Sequence, residues 1–511
     1  MKRLWIAPAF VLLCALSVTG CSQPFGNRPN EPSAPDPNLL IEGGVLKGYN
    51  GTPSGILVIP ADVTEIADYA FSGRTGLTGL DFSSCINLKK IGDGAFLGCT
   101  GIKGTIVFPA NLETIGASAF YMCGDIDDFD FSRCTKLSSI GSWAFGRCTK
   151  IKAVNLPASL TNIAGDAFDE CPELATLTVH SDNKFFKSKG NIIYNSDETE
   201  AACSARAIQS IDFPKNLVKI TKGAFKGCAG LTALDLPDSV EILDFQSFYG
   251  CKEIKGTVVL PKSLKTIGIG TFGSCENVGS FDFSKCTGLT SIGSGAFGNC
   301  TKIKAVNLPA KLKDFVGDAF VSCTELATIT VDSNNEFFTV KDNTIYDKGQ
   351  TKLVCSARTI PSFKFPADLT EIGRGAFSGC TKLTAVDLSS CTDLTTIDVR
   401  AFFECTGLTQ LILPVNLKTI DEFAFFVCRE ISGTVVLPAN LEKIGDNAFF
   451  QCSKVTNFDF SKCTELTSIG SGAFTECKAA VFTVKKDSVG SAIKSKLMAN
   501  GVAENQIMEV D

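Results

Sequence analysis

Apolar residues return along this chain in one fixed phrase. Between Cys148 and Cys171 they fall at Cys148, Ile151, Val154, Leu156, Leu160, Ile163, Ala167 and Phe168, with polar residues between them. Val154-Asn155-Leu156 alternates, which is the period of a strand with one buried face. Pro157 lacks an amide donor and ends the pairing segment. Leu160 and Ile163 pack a returning arm, Gly165 permits a tight bend, and Ala167-Phe168 closes the coil.

The phenylalanine of this phrase beats in three runs. They are Phe71, Phe96, Phe120, Phe145, Phe168; then Phe225, Phe248, Phe272, Phe297, Phe320; then Phe377, Phe402, Phe425, Phe449, Phe474. Within a run the spacing is 23 to 25 residues, and two gaps of 57 separate the runs. Self-similarity at this period predicts a solenoid, in which no unit buries its own apolar face but stacked units share a core. At about 4.8 Å per strand, such a stack extends roughly 75–90 Å.

Two segments interrupt the beat and match each other 152 positions apart. One runs from Asn183 through Tyr194, Cys203 and Arg206 to Phe213; the other runs from Asn335 through Tyr346, Cys355 and Arg358 to Phe365. Ile193-Tyr194 and Ala202-Cys203, separated by Ser196-Asp197-Glu198-Thr199, read as a hairpin inserted into the solenoid. Residues 41–59, rich in glycine, read as an N-terminal version of the same device. The repeat region 39–477 thus divides into duplicated blocks 39–175, 176–327 and 328–477.

The full phrase, I-G-x-x-A-F-x-x-C, resembles that of the BspA-like leucine-rich-repeat surface proteins of bacteria. The resemblance covers Leu39 to Cys477 and departs from pattern only locally, at Arg74, Ser247, Thr271 and Phe315. It implies a β-dominated member of the α/β repeat class: a curved solenoid with a parallel sheet on its concave face. It also implies a binding role, in adhesion to host matrix or plasma proteins or to other bacterial surfaces, by a chain expected to be monomeric.

The ends carry separate signals. Lys2-Arg3, an apolar run from Leu4 to Val18, and Val18-Thr19-Gly20-Cys21 read as a secretion signal (residues 1–20) too short to span a bilayer. The segment resembles a bacterial lipobox, which implies cleavage before Cys21 and its acylation, hence an outer-membrane lipoprotein. Five prolines in residues 21–38 predict an extended tether. At the other end, residues 478–511 predict a β-α-β-like cap: a strand over Ala480–Val484, then a helix over Ser488–Asn500 with Val489, Ile493 and Leu497 on one side and Gly501 as its stop.

Candidate chemistry is sparse. The net charge of −6 becomes −8 if Lys2 and Arg3 leave with a leader, and no basic cluster suggests nucleic acid. His180 is the sole histidine and no C-x-x-C occurs, which argues against zinc. Gly268 to Gly273 and Gly293 to Gly298 satisfy G-x-G-x-x-G, but they fall inside the repeat phrase and lack a dinucleotide-binding context. The acids Asp125, Asp127, Asp128 and Asp130 lack the glycine and final glutamate of a calcium loop and read as a solvated turn. Nothing forms a nucleophile or acid–base constellation, so no enzyme and no cofactor are expected. The cysteines after Cys21 are expected mostly as reduced, packed thiols.

The alternation also names outward side chains. In the strand register of Asn155 they include Asp81, Asp130, Asp212, Asp235, Asp282, Asn307, Asp387 and Asp459, interrupted by Val58, Val107, Val259, Ile412 and Val436. This acidic strip is the candidate ligand-binding face, since extended solenoid sheets bind partners. Equally, the same residues would simply keep a sheet soluble, and the chain would then be a periplasmic scaffold lipoprotein without a host ligand.

Overall fold

A computed structural model describes residues 36–511. The expected signal segment, the acylated Cys21 and nearly all of the tether lie outside the described residues.

Each coil is built as its apolar spacing requires. In the Cys148–Cys171 unit, strand Ala153–Leu156 buries Val154 and Leu156 and exposes Ala153 and Asn155. The chain turns at Pro157, buries Leu160, and forms the two-residue strand Asn162–Ile163 before the Ala-Phe turn. Stacked, these units form a parallel-strand solenoid with a single α-helix among the described residues, Ser488–Ala499.

Pairing is distributed unevenly between the two faces. The short strands of the returning arm, such as Glu65–Ile66, Lys90–Ile91, Thr114–Ile115, Ser139–Ile140 and Asn162–Ile163, stack in parallel as one sheet. Three such sheets of seven, eight and eight strands follow one another. Each is opened by antiparallel strands: Leu39–Glu42 with Val45–Tyr49, then Phe186–Lys189 with Ile192–Asn195 and Glu200–Ser204, then Phe338–Lys341 with Thr344–Asp347 and Lys352–Ser356. The inserted hairpins are therefore three-stranded. At the N-terminus the hairpin ends at Tyr49, and Gly55–Val58 is already the first strand of the other face.

That other face, carrying Asn155, was expected as one continuous sheet. It consists instead of strand pairs and one terminal four-stranded sheet. In four cases the first strand opens on a glycine with positive φ: Gly55, Gly104, Gly256 and Gly433. The register slips by one residue there, because the partner strand of the next coil is one residue longer. The acidic run expected as a turn is one of these longer strands, Ile126–Asp130: Ile126 and Phe129 face the core and Asp127 and Asp128 face out.

The core is a ladder. Like phenylalanines of successive coils stack nearly parallel within each run, 5.0–5.9 Å between ring centroids. Such pairs contribute about 0.5–1.5 kcal/mol each beyond area burial. Every cysteine from Cys85 to Cys477 is a buried free thiol. In twelve coils the thiol donates to the carbonyl of the phenylalanine one coil back, as Cys171 Sγ does to Phe145 O at 3.1 Å. The thiols thus satisfy a backbone acceptor as well as fill space.

At the two gaps the ladder changes hands. Phe168 O receives Arg206 Nε at 3.2 Å, and Phe320 O receives Arg358 Nε at 3.2 Å. Both guanidinium groups are buried and fan out over carbonyls on either side of the insertion: Arg206 to Gly165 O and Ala224 O, Arg358 to Gly317 O, Ser356 O and Ala376 O. Gly165, expected to permit a bend, has another role. It has no positive φ; a Cβ there would meet Lys222 O at 2.2 Å and Ala202 O at 2.7 Å, so its missing side chain lets the next block approach.

The C-terminal helix is capped by Asp487, whose carboxylate accepts from Gly490 N at 2.8 Å. It buries Ile493 and Leu497 as expected, but Gly490 takes the first place on that face and Val489 is exposed. Ile507–Val510 then pairs in parallel with Val481–Lys485, completing a β-α-β cap.

Candidate binding surface

The strip residues fall where alternation puts them, next to one another across the strand pairs. Val58 lies opposite Asp81, Val107 opposite Asp130, Val259 opposite Asp282, and Asp387 opposite Ile412. Asn155 faces Thr178 and Asn307 faces Thr330, while Asp459 lies between Val436 and Thr483. Asp212 and Asp235 are exposed but sit on segments that form no strand, so they do not continue this lattice.

Most of these polar groups are already engaged. Asp81, Asp130, Asp282, Asp387 and Asp459 each accept from the backbone N–H two residues on (Ser83, Ser132, Ser284, Ser389, Ser461) at 2.8–3.0 Å. This Asx-type contact ends the strand and starts the turn to the cysteine four residues after each aspartate, namely Cys85, Cys134, Cys286, Cys391 and Cys463. The serine hydroxyl and amide hold the Asp130 and Asp387 carboxyls below the usual range; for Asp282 the Ser284 amide leads. Asn155 Oδ1 and Asn307 Oδ1 accept from Thr178 and Thr330 hydroxyls at 3.0 and 2.9 Å. Asp212 meets Lys189 Nζ at 3.2 Å. Asp235 is exposed, with no hydrogen bond or ion pair among the described residues.

Between the pairs lie shallow grooves. One, of about 650 Å³, is lined by Asp128, Asp130, Lys150, Lys152, Asn155 and Thr178, but Lys150 is spent on Asp125 at 2.8 Å. A second, of about 340 Å³, is apolar and runs along Ile412, Val415 and Val436. No group of three or more potential metal-ligating side chains converges among the described residues.

A different edge was missed by reading strands alone. Where the Ala-Phe turn meets solvent, Tyr121, Trp143 and Tyr249 in the first two runs, and Phe403, Phe423, Phe426 and Phe450 in the third, stand partly exposed. Lys226 lies 5.1 Å from the Trp143 ring and is paired with Asp169 at 2.8 Å. The signal was present in the sequence as bulky residues at phrase positions where sibling coils carry glycine, such as Gly146, Gly273 and Gly298.

No curated protein matches the chain. Among solved structures it is similar to a leucine-rich cell surface protein from Faecalibacterium prausnitzii, at 20% identity over 90% of this chain and 96% of that one, with a TM-score of 0.48. It is also similar to the pneumococcal vaccine antigen PcpA, at 17% identity over 94% and 98%, with a TM-score of 0.45. A leucine-rich repeat protein from Bacteroides ovatus aligns at 20% identity over 93% and 97%, with a TM-score of 0.33. The family model for the BspA type leucine rich repeat region (6 copies) matches residues 64–199, 199–327, 255–356 and 350–481, well over half of the sequence. With coil after coil built on the same Ala-Phe-x-x-Cys phrase, the chain belongs to the BspA-type leucine-rich repeat family.

Proposed function

We propose that this chain is a surface-displayed binding protein, anchored to the outer membrane through acylated Cys21, that adheres to host matrix or plasma proteins or to other cells. The observation that carries this reading is the division of labour within each coil. Inward positions are mostly apolar, with buried polar groups such as Arg206 and Arg358 concentrated at the insertions, while most sequence variety falls at outward positions on the stack. Two or three acyl chains on one residue would hold such a protein firmly at the membrane. Protein freed of residues 1–37 should bind members of a panel of immobilised matrix and plasma proteins, and Cys21→Ser should abolish labelling by radioactive palmitate. A panel without a single saturable binder would refute adhesion to these ligands.

One observation favours the rival reading of an envelope scaffold: the strip carboxylates are spent on capping their own turns. Protease treatment of intact cells separates the two readings, since a scaffold kept inside the outer membrane would survive it. Asp282→Lys and Asp387→Lys test the strip itself but also remove a turn cap, whereas Asp235→Lys, beside the strand lattice, removes none.

A further inference from the structure

The third run carries a surface that its own fold does not require. At the position before Ala-Phe the backbone takes left-handed φ, and six coils place glycine there: Gly94, Gly223, Gly270, Gly295, Gly375 and Gly472. Arg400 (φ 58°) and Phe423 (φ 57°) hold the same conformation with long side chains, as Tyr69, Trp143 and Gln246 do singly in the first two runs; here two consecutive coils do so, and Val427 joins them at the second left-handed position (φ 61°). A bulky or β-branched residue in this region is strained, and strain of this kind collects at functional sites. The position after Ala-Phe tells the same story. Glycine or serine suffices in five coils (Ser72, Gly146, Gly273, Gly298 and Ser378), yet Phe403, Phe426 and Phe450 occupy it in three consecutive ones.

These side chains assemble into one patch. The rings of Phe403, Phe426 and Phe450 stack at 5.1 and 4.8 Å with interplanar angles of 2° and 10°. Phe423 meets Phe426 edge-on at 5.5 Å. The Arg400 guanidinium lies 5.5 Å from the Phe423 centroid and 5.8 Å from that of Phe403. It forms no ion pair among the described residues, and its Nε is buried without a hydrogen-bond partner. The nearby Glu404 is turned toward Ser322, whose hydroxyl donates to it at 3.3 Å. Rings stacked along the solenoid axis cover one another's faces, so they offer solvent chiefly their edges, the positive part of the aromatic quadrupole. An unpaired arginine and a row of ring edges both favour an anionic, partly apolar partner.

We propose that the patch centred on Arg400, Phe423 and Phe426 docks an acidic, apolar segment of a partner protein, with a partner carboxylate pairing with the Arg400 guanidinium. It rests on the reading of the chain as a binding protein and names the surface and the chemistry that reading leaves open. The partner's apolar side chains lie along the phenylalanine ladder, and its acids meet the guanidinium.

Fluorescence anisotropy with the full chain tests this, using a labelled peptide that alternates Glu and Leu and its Lys–Leu counterpart. The acidic peptide should bind at least about tenfold more tightly than the basic one. Arg400→Gly and Phe426→Ser should each weaken it by about tenfold or more, whereas Trp143→Gly, on the other aromatic cluster, should leave it unchanged. Arg400→Gly should keep or raise the thermal midpoint, because glycine is what sibling coils carry at that φ. Equal binding of the two peptides, retained binding by Arg400→Gly, or a midpoint lowered by that change would each overturn the proposal. The matrix and plasma panel separates the two readings: panel ligands bound equally by both patch variants would discard the patch and leave adhesion standing. Acidic-peptide binding without any panel ligand would do the reverse.

Discussion

Gly165 is a place where a methyl group has no room. A Cβ there would stand 2.2 Å from Lys222 O, 2.7 Å from Ala202 O and 2.9 Å from Ala224 N, against a comfortable non-bonded separation of about 3.5 Å. All three atoms are backbone, Ala202 in the inserted hairpin and Lys222 and Ala224 in the coil beyond it, so no flexible side chain can yield. Overpacking costs about 1–3 kcal/mol where side chains can adjust; against backbone the upper end applies, and we expect Gly165→Ala to cost about 3 kcal/mol. Gly104 is the control: its φ is positive, but a Cβ there would meet nothing within 4 Å, so Ala should cost about 1–2 kcal/mol. In a solenoid the loss falls on one neighbour interface rather than on the whole stack. With a denaturant slope of about 3 kcal/mol per molar urea, the joint should open about 1 M earlier. Trp143 reports on that joint, since Lys226 from across the insertion lies over its ring, and it is the one tryptophan left once residues 1–37 are removed. A Trp143 fluorescence midpoint unchanged in Gly165→Ala, or shifted as far by Gly104→Ala, would refute the close-approach argument.

Arg358→Ala should destabilise the second joint by about 4 kcal/mol in urea unfolding, because Gly317 O and Ser356 O lose charged donors at 2.6 and 2.9 Å and a cavity remains; a loss under about 1 kcal/mol would contradict this. Burial pushes the thiols of Cys275, Cys286 and Cys463 up to about 12. At pH 8 roughly one in ten thousand of each is then ionised, so iodoacetamide should modify them in urea and not in the native protein, as mass spectrometry would record. The capped carboxyls of Asp130, Asp282 and Asp387 have folded values below their unfolded ones. Their stabilisation is therefore complete above the unfolded value of about 3.9 and is lost as pH falls through the folded values. The urea midpoint should fall in that acid range, and the triple Asp→Asn variant should flatten the fall; an identical acid profile would argue that these caps contribute nothing.

Much of the fold was legible because a coil repeats its own solution. Val154 and Leu156 announce an inward pair, and the same two positions in other coils repeat the message until chance is excluded. The inserted hairpins were readable from Ile193-Tyr194 and Ala202-Cys203, two apolar runs flanking the polar Ser196–Thr199 segment where the beat is interrupted. The long sheets of the returning arm were not, since a strand of two residues such as Asn162–Ile163 has no period to detect. Nor did the aspartates reveal that they cap Ser N–H groups, although the D-F-S spacing holds that information. The third-run aromatics escaped because they stand at turn positions, where no strand alternation marks them.

By itself the sequence determined that the chain is a solenoid, where its coils begin, which side chains its core contains and where its two interruptions fall. Those follow from local spacing, which each coil states independently of the others. Only the tertiary structure decided which face carries the three long sheets, why Gly165 must lack a side chain, and how Arg206 and Arg358 take over from the thiols at the gaps. It alone also gathered Arg400 and four phenylalanines from three coils into one surface. These features depend on what lies one coil away, some 25 residues along the chain, and that neighbour exists only once the coils have stacked.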